Sequence, residues 1–272
     1  MKQYLLRIFS IVLVFCIMTG CSGKKQHETR LPIPNDLVSV LTLGKAAMEL
    51  PVEKGVVGEI TELCRTNVYA RTLMTKYAWC KQQTVLHWDF TYAEDFGRDI
   101  GQVKQEARRL AEEIAASVLC EDLTDGERAL LLHDTLCNRC TYDVLAKPQS
   151  RWGYGALTTG MAVCEGYAEA YAMLLEAADI PYLLVSGYAL PDMQPHLWNL
   201  VQIDGQWYHV DVTWDDIGEN IAYSYFMLSD SQFGGTHRWN QADYPAAKGF
   251  LSVADIEEKL QTHFLQEYPN IT

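Results

Sequence analysis

From His196 to Asp216 the chain reads HLWNLVQIDGQWYHVDVTWDD. Two strand-like runs flank Asp204-Gly205, a dipeptide suited to a two-residue hairpin turn because both central positions need a positive φ. That turn sets a register. Ile203 faces Gln206, and the pairing carried back predicts Trp198 opposite Asp211 and His196 opposite Thr213. Side chains alternate faces along a strand, so these four are expected on one side of the sheet. His196 and Asp211 become diagonal neighbours, with Cβ atoms roughly 7 Å apart. An imidazole N–H can reach a carboxylate across that gap, which is the pairing that orients a catalytic histidine. Asp215 shares the face but lies past Thr213, where pairing frays. His209, opposite Leu200, sits deeper in the hairpin. Taken alone, the ordinary explanation of a His and an Asp on a strand face is a satisfied polar pair at a sheet edge.

Upstream, the pattern changes from strand to helix. Residues 100–119 place Val103, Ala107, Leu110, Ala111, Ile114 and Val118 at helical spacing. Thr124 with Glu127 three residues on reads as a capping box opening a second helix, with Ala129, Leu131, Leu132 and Leu136 as its apolar surface. A third helix carries Tyr167, Tyr171, Leu174, Leu175 and Ala178 on one face, and Pro181 precedes the strand-like YLLVSGYAL. YFMLSD is expected to be a further strand. Ser252 with Asp255 opens a closing helix within 251–272. Residues 84–92 read as a strand and VVGEITELC as a short helix, but 35–122 otherwise carry few fold-fixing patterns. Helices early and strands late predict an α+β fold, helices against an antiparallel sheet. Trp79, Trp88 and Tyr92 are expected in the core rather than in a groove.

Cys164 opens the third helix. A helix N-terminus carries about half a positive charge and unpaired N–H groups. Both favour thiolate over thiol, and the same N–H groups can hold a developing oxyanion. A nearby imidazolium would activate the sulfur further. Gly166 removes a side chain beside the thiol, so a neighbouring segment can approach closely. The bland reading of Cys164 is a buried structural cysteine.

The remaining cysteines are less telling. Cys137 and Cys140 form a lone Cys-x-x-C, and no further ligands at zinc spacing accompany it, so no metal is expected. Disulfide exchange would need that pair exposed at a helix start, whereas it follows an apolar helical run. Pairing among Cys64, Cys80, Cys120, Cys137 and Cys140 is left open. The formal charge of −13 argues against a nucleic-acid partner.

The first twenty residues, a short cationic stretch followed by an apolar run and TGC, resemble a bacterial lipoprotein signal. The resemblance implies export, lipidation at Cys21, and a location on the outer side of the cell membrane. The polar, proline-containing stretch 21–34 then serves as a tether.

YGALTTGMAVCEGYAEAYAMLLEAADIPYLLVSG, HLWNLVQIDGQWYHVDVTWDD and YFMLSDSQF together resemble the transglutaminase-like superfamily of papain-type cysteine enzymes. TDGERALLLHDTLCNRCTYD looks like its lead-in helix, and the likeness covers about residues 123–240. It implies a papain-like core, over 123–250, in which the helix-borne cysteine packs on an antiparallel sheet. Cys164 would be the nucleophile, His196 the general base and acid, and Asp211 its orienter. An extra oxyanion donor upstream of the cysteine is also implied, with Tyr142, Trp152 and Tyr154 available. No EF-hand loop is present, and calcium dependence is not implied.

The expected function is therefore an exported, lipid-anchored thiol enzyme acting on amide bonds of a protein or peptide, with cell-wall peptide as one substrate. Hydrolysis is favoured over transamidation, and no cofactor is called for. The alternative is a surface binding module that keeps the fold without turnover.

Overall fold

Helix α7 (Cys164–Ala177) is apolar on nearly all sides, and the fold is built around it. In the computed structural model, which describes residues 35–51, 56–82, 85–94 and 96–267, every residue from Gly166 to Leu175 is buried. The expected single apolar face is thus too narrow a reading. A helix with hydrophobic side chains all round must be covered all round. On one side lie α4 (Ile100–Val118), α5 (Asp125–Arg139) and α6 (Gly153–Thr159). On the other lies a sheet of β6 (Tyr182–Ala189), β7 (Gln194–Ile203), β8 (Gln206–Val210) and β9 (His237–Arg238), in the order β8-β7-β6-β9. Helices therefore cover one antiparallel sheet, an α+β arrangement.

The helices begin where their caps put them. Asp99 accepts from the Gln102 N–H at the start of α4, and Thr124 and Glu127 form a reciprocal capping box on α5. Leu130, rather than Leu131, is buried there alongside Leu132 and Leu136. A last helix, α10 (Val253–Glu267), packs on α5, where His263 meets Glu127 at 2.8 Å.

Before α4, the chain forms α1 (Asn35–Thr42), β1 (Ala47–Pro51), α2 (Val56–Thr66), α3 (Val68–Arg71), β2 (Met74–Gln82) and β3 (Val85–Tyr92). The strands make an antiparallel sheet in the order β1-β3-β2. Leu37, Leu41, Ile60, Leu63, Ala70, Met74 and Phe90 form a small core of their own. Two polar joints tie this part to the main core. The buried Lys104 of α4 donates to the carbonyls of Leu41 and Tyr69, each at 2.8 Å. Buried Glu169 of α7 accepts from the Thr72 hydroxyl at 2.7 Å and the Gly153 N–H at 3.0 Å. Tyr92 is half-buried beside both cores. The side chains of Trp79, Trp88 and Cys80 lie outside the described residues, as do the leader, the tether and Cys21.

The hairpin keeps its expected register from Ile203–Gln206 through Leu200–His209 to Asn199–Val210, and there it stops. The expected pairs Trp198–Asp211 and His196–Thr213 do not form. Asp211 instead caps a short helix, α8 (Val212–Asp215), its Oδ1 accepting from the N–H groups of Thr213 and Trp214. An aspartate with a free carboxylate competes well for such N–H groups, and the strand ends at that point. YFMLSD is also not a strand. It touches β8 through one bridge, His209–Leu228, and Met227 sits at a φ of 57°, which interrupts extended pairing. Asp230 then opens the short helix α9 (Asp230–Phe233).

Gly166 shows why α7 starts where it does. A Cβ there would lie 2.3 Å from the carbonyl oxygen of Ser150, and that same oxygen accepts from the Val163 N–H at 2.9 Å. Gly166→Ala should therefore force the 150 segment away from α7 and cost about 1–3 kcal/mol, the usual penalty of overpacking. Urea unfolding of the two proteins checks it, and an unchanged midpoint would count against this packing.

Candidate active site

Cys164 is the first residue of α7, and the segment before it is held on two sides. Strand β4 (Thr141–Tyr142) pairs in parallel with β5 (Met161–Ala162), setting Tyr142 beside Ala162. The Val163–Ser150 bond fixes the opposite side. Val163, the residue at the cap, has no side-chain cap bond, so the first N–H groups of α7 are not taken up by a capping side chain. The thiol itself is free and half-buried.

His196, on β7, is nine-tenths buried. Its Nε2 lies 2.6 Å from Asp211 Oδ2, and Cys164 is near enough to raise its pKa. An ionised carboxylate only accepts. Nε2 therefore donates to Asp211, and Nδ1 is left to exchange a proton with the sulfur. Burial works against a charged imidazole here, but the Asp211 charge, its hydrogen bond and Cys164 outweigh it. His196 is pushed up to about 10. Asp211 shows the converse. It is 1% exposed, and although burial opposes its charge, His196 and His237 hold the carboxyl well below the usual range. Cys164, His196 and Asp211 are thus brought together, with the aspartate delivered by a helix cap rather than by a ladder position.

His237 was not singled out in the sequence. Its Nε2 lies 3.1 Å from the same Asp211 Oδ2, and its Nδ1 lies 2.9 Å from the Thr236 hydroxyl. Burial, and then the neighbouring His196, lower its pKa more than Asp211 raises it. One signal was available: His237-Arg-Trp239 repeats the His-x-Trp spacing of His196-Leu-Trp198.

The three expected oxyanion donors part company. Tyr142 is half-exposed beside the sulfur; burial, followed by the charges of Cys164 and Glu165, pushes its phenol up to about 12, so it remains a donor. The Tyr154 hydroxyl accepts from Arg98 at 3.1 Å, and its ring meets Phe96 edge-on. Trp152 is half-buried at the start of α6, packed against the main core.

The other polar groups of the hairpin have structural work. His209 accepts at Nδ1 from Trp198 Nε1 at 2.9 Å and meets Asp230 through Nε2 at 2.9 Å. Burial lowers it to about 4. It pins the indole that stacks on His196 with ring centroids 6.0 Å apart. Asp215 turns away, into the core: it accepts from the Tyr225 N–H at 2.8 Å and faces His133 at 3.3 Å. Cys137 and Cys140 are buried free thiols near the end of α5. Burial pushes Cys140 up to about 12 and Cys137 beyond. Cys120 is also free. Among the described residues, His196, Asp211 and His237 alone bring three ligand-type atoms within 4.8 Å of one another. Their contacts, at 2.6 and 3.1 Å, are those of two imidazole N–H groups on one carboxylate oxygen.

Comparison with known proteins meets this geometry at the same segment. The model of the Transglutaminase-like superfamily matches residues 108–212. Kyphoscoliosis peptidase of Homo sapiens is 25% identical over 173 residues, 55% of this chain and 26% of that protein. Kyphoscoliosis peptidase of Mus musculus is 28% identical over 135 residues, 44% of this chain and 20% of that protein. The chain thus spans about a quarter or less of the curated relatives it matches. A crystal structure of a TGase is similar at a TM-score of 0.36, with 14% identity over 78% of this chain and 64% of that one. The matched segment runs from α4 through α7 to the cap of α8, and over it the chain is similar to the transglutaminase-like superfamily.

Proposed function

We propose that the protein is a cysteine hydrolase of amide bonds, with Cys164 as nucleophile, His196 as general base and acid, and Asp211 as the group that orients His196. One observation carries this reading: a thiol at a helix start acts on the charge of an imidazole whose Nε2 is held by a buried carboxylate at 2.6 Å. The Cys164 proton passes to His196 Nδ1, and the sulfur bonds to the substrate carbonyl carbon. The developing oxyanion is met by N–H groups at the start of α7 and by the Tyr142 hydroxyl. His196 then gives its proton to the leaving amine as the C–N bond breaks, and a thioester remains. Water, deprotonated by His196, attacks the thioester and releases acid and thiol. An amine in place of water would give transamidation.

A protein or peptide substrate is supported by the surroundings. Val144, Leu145, Met193 and Ile217 are exposed apolar side chains on the turns that follow Tyr142, precede His196 and follow α8. The first of these turns is braced by Asp143, which accepts from the N–H groups of Leu145 and Lys147 and from the Ser150 hydroxyl. Exposed apolar side chains on the turns flanking the site's elements suit substrate side chains. The name of the matched relatives, a peptidase, agrees with hydrolysis. From the leader, we further infer export and lipid attachment at Cys21, which puts cell-wall peptide and surface proteins within reach.

Labelling with iodoacetamide tests the nucleophile. Cys164 should be modified at neutral pH faster than Cys120, and His196→Ala should slow it by about a hundredfold, the low end of what a positioned base contributes. Equal, slow labelling in both proteins would leave a binding module instead. The acid role needs His196 to keep its proton in alkaline solution. Its pKa rises on folding from the ordinary ~6.5 to about 10, so its contribution to stability is whole below about pH 6.5 and disappears as pH rises through about 10. The gap in urea midpoint between the parent and His196→Gln should accordingly narrow from pH 7 to 10.5; a constant gap would contradict the charged pair. Leu145→Asp and Met193→Asp should raise KM for peptide substrates severalfold with kcat little changed, and unchanged KM in both would remove these turns from substrate binding.

A further inference from the structure

Asp211 Oδ2 receives two imidazoles, and the proposed reaction uses only one of them. We propose that His237 is a positioning residue: as a neutral imidazole donating Nε2–H to Asp211 Oδ2, it fixes the carboxylate and limits how much of its charge falls on His196. The inference rests on the reading of Cys164, His196 and Asp211 given above.

The geometry supplies each part. His237 lies on β9, whose pairing with β6 sets Ala189 opposite it and Tyr188 opposite Arg238. Close approach of these elements depends on Gly187, where a Cβ would lie 2.4 Å from the Arg238 carbonyl oxygen and 2.5 Å from the Trp198 ring. The ring of His237 is stacked on Phe233 with centroids 3.9 Å apart, and Trp214 lies 4.5 Å away. It is 1% exposed. The Asp211 carboxylate can only accept, so Nε2 carries the proton that faces it, and Nδ1 of the neutral ring is left to accept from the Thr236 hydroxyl at 2.9 Å. Nε2 points at the oxygen already bound to His196.

The titratable groups around His237 agree on a neutral ring. Asp211 at the end of β8 favours its charge, while His196 on β7 and the burial itself oppose it. His209 on β8 interacts with it weakly, and the Tyr225 ring meets it edge-on at 5.7 Å. A second imidazolium against Asp211 would face His196 with ring centroids 5.4 Å apart. One proton therefore resides on His196, and His237 donates without a net charge. A carboxylate oxygen with two donors is less basic than one with a single donor. His196 is then a weaker base and a better acid than it would be with an undivided Asp211, which suits a group that must release its proton to a departing amine.

The test is the titration of His196, followed by NMR of histidine-labelled full-length protein in a Cys164→Ala background. That background reads the carboxylate's two bonds whether or not Cys164 turns over substrate, so a failed labelling experiment and a failed titration point to different errors. His237→Phe keeps the stacked ring and removes the donor; it should move the His196 midpoint up by roughly one pH unit. His237→Gln gives up the stacking and keeps an N–H near the same place; it should leave the midpoint within a few tenths. A purely structural His237 predicts the reverse order, with Phe tolerated and Gln disruptive, and that result, or no shift in either variant, overturns the proposal. Should His237→Phe fail to fold, the ring nitrogen shifts of the unmutated His237 decide: a neutral ring protonated at Nε2 from pH 6 to 8 supports the role, and a charged ring or one protonated at Nδ1 refutes it.

Discussion

A carboxylate that is 1% exposed must be fully satisfied to stay charged, and Asp211 manages this with two imidazoles on one oxygen and two backbone N–H groups on the other. Its neighbours are arranged by that requirement. The backbone donors exist because the chain turns into α8 at this residue. The imidazoles come from β7 and β9, the second and last strands in the order of the sheet, and their shared neighbour β6 sets the spacing between them. Removing the charge would leave a helix without its cap and two rings without their common acceptor.

Cys164 is placed by a different constraint. Helix α7 has no water-facing side along most of its length, so helices, sheet and the segment at 150 all close on it. Glu169 is the charged exception within that stretch, and it bonds both to Thr72 in the N-terminal part of the chain and to the start of α6 at Gly153. Cys164 lies where this enclosed helix emerges. Its position is consequently fixed by packing that extends far from the site, while its partners are fixed by hydrogen bonds close to it.

Much of this was legible in the sequence because it rests on local chemistry. The capping box of α5, the Asp204-Gly205 turn and the register of its hairpin all follow from neighbouring residues. Cys164, His196 and Asp211 were picked out as well, partly from their spacing and partly from likeness to a family, and the fold sets His196 against Asp211. Other features escaped for physical reasons. Asp211 has two ways to satisfy the chain, as a strand residue or as a cap, and propensity does not decide between them. His237 is brought to Asp211 by a two-residue strand that only tertiary packing defines. The stretch at YFMLSD has strand-like composition, but the positive φ of Met227 overrides it. In the N-terminal sheet, β1-β3-β2, only β3 was legible, from the β-branched and aromatic residues of 84–92.

Cys164 belongs to the helical layer, whereas His196, Asp211 and His237 belong to the sheet and its loops. A nascent chain whose layers have not yet joined holds its sulfur on one piece and its proton acceptor on the other. On the proposed roles, activation of the sulfur by His196 waits until the two layers have docked, so catalytic competence arrives only with the completed fold.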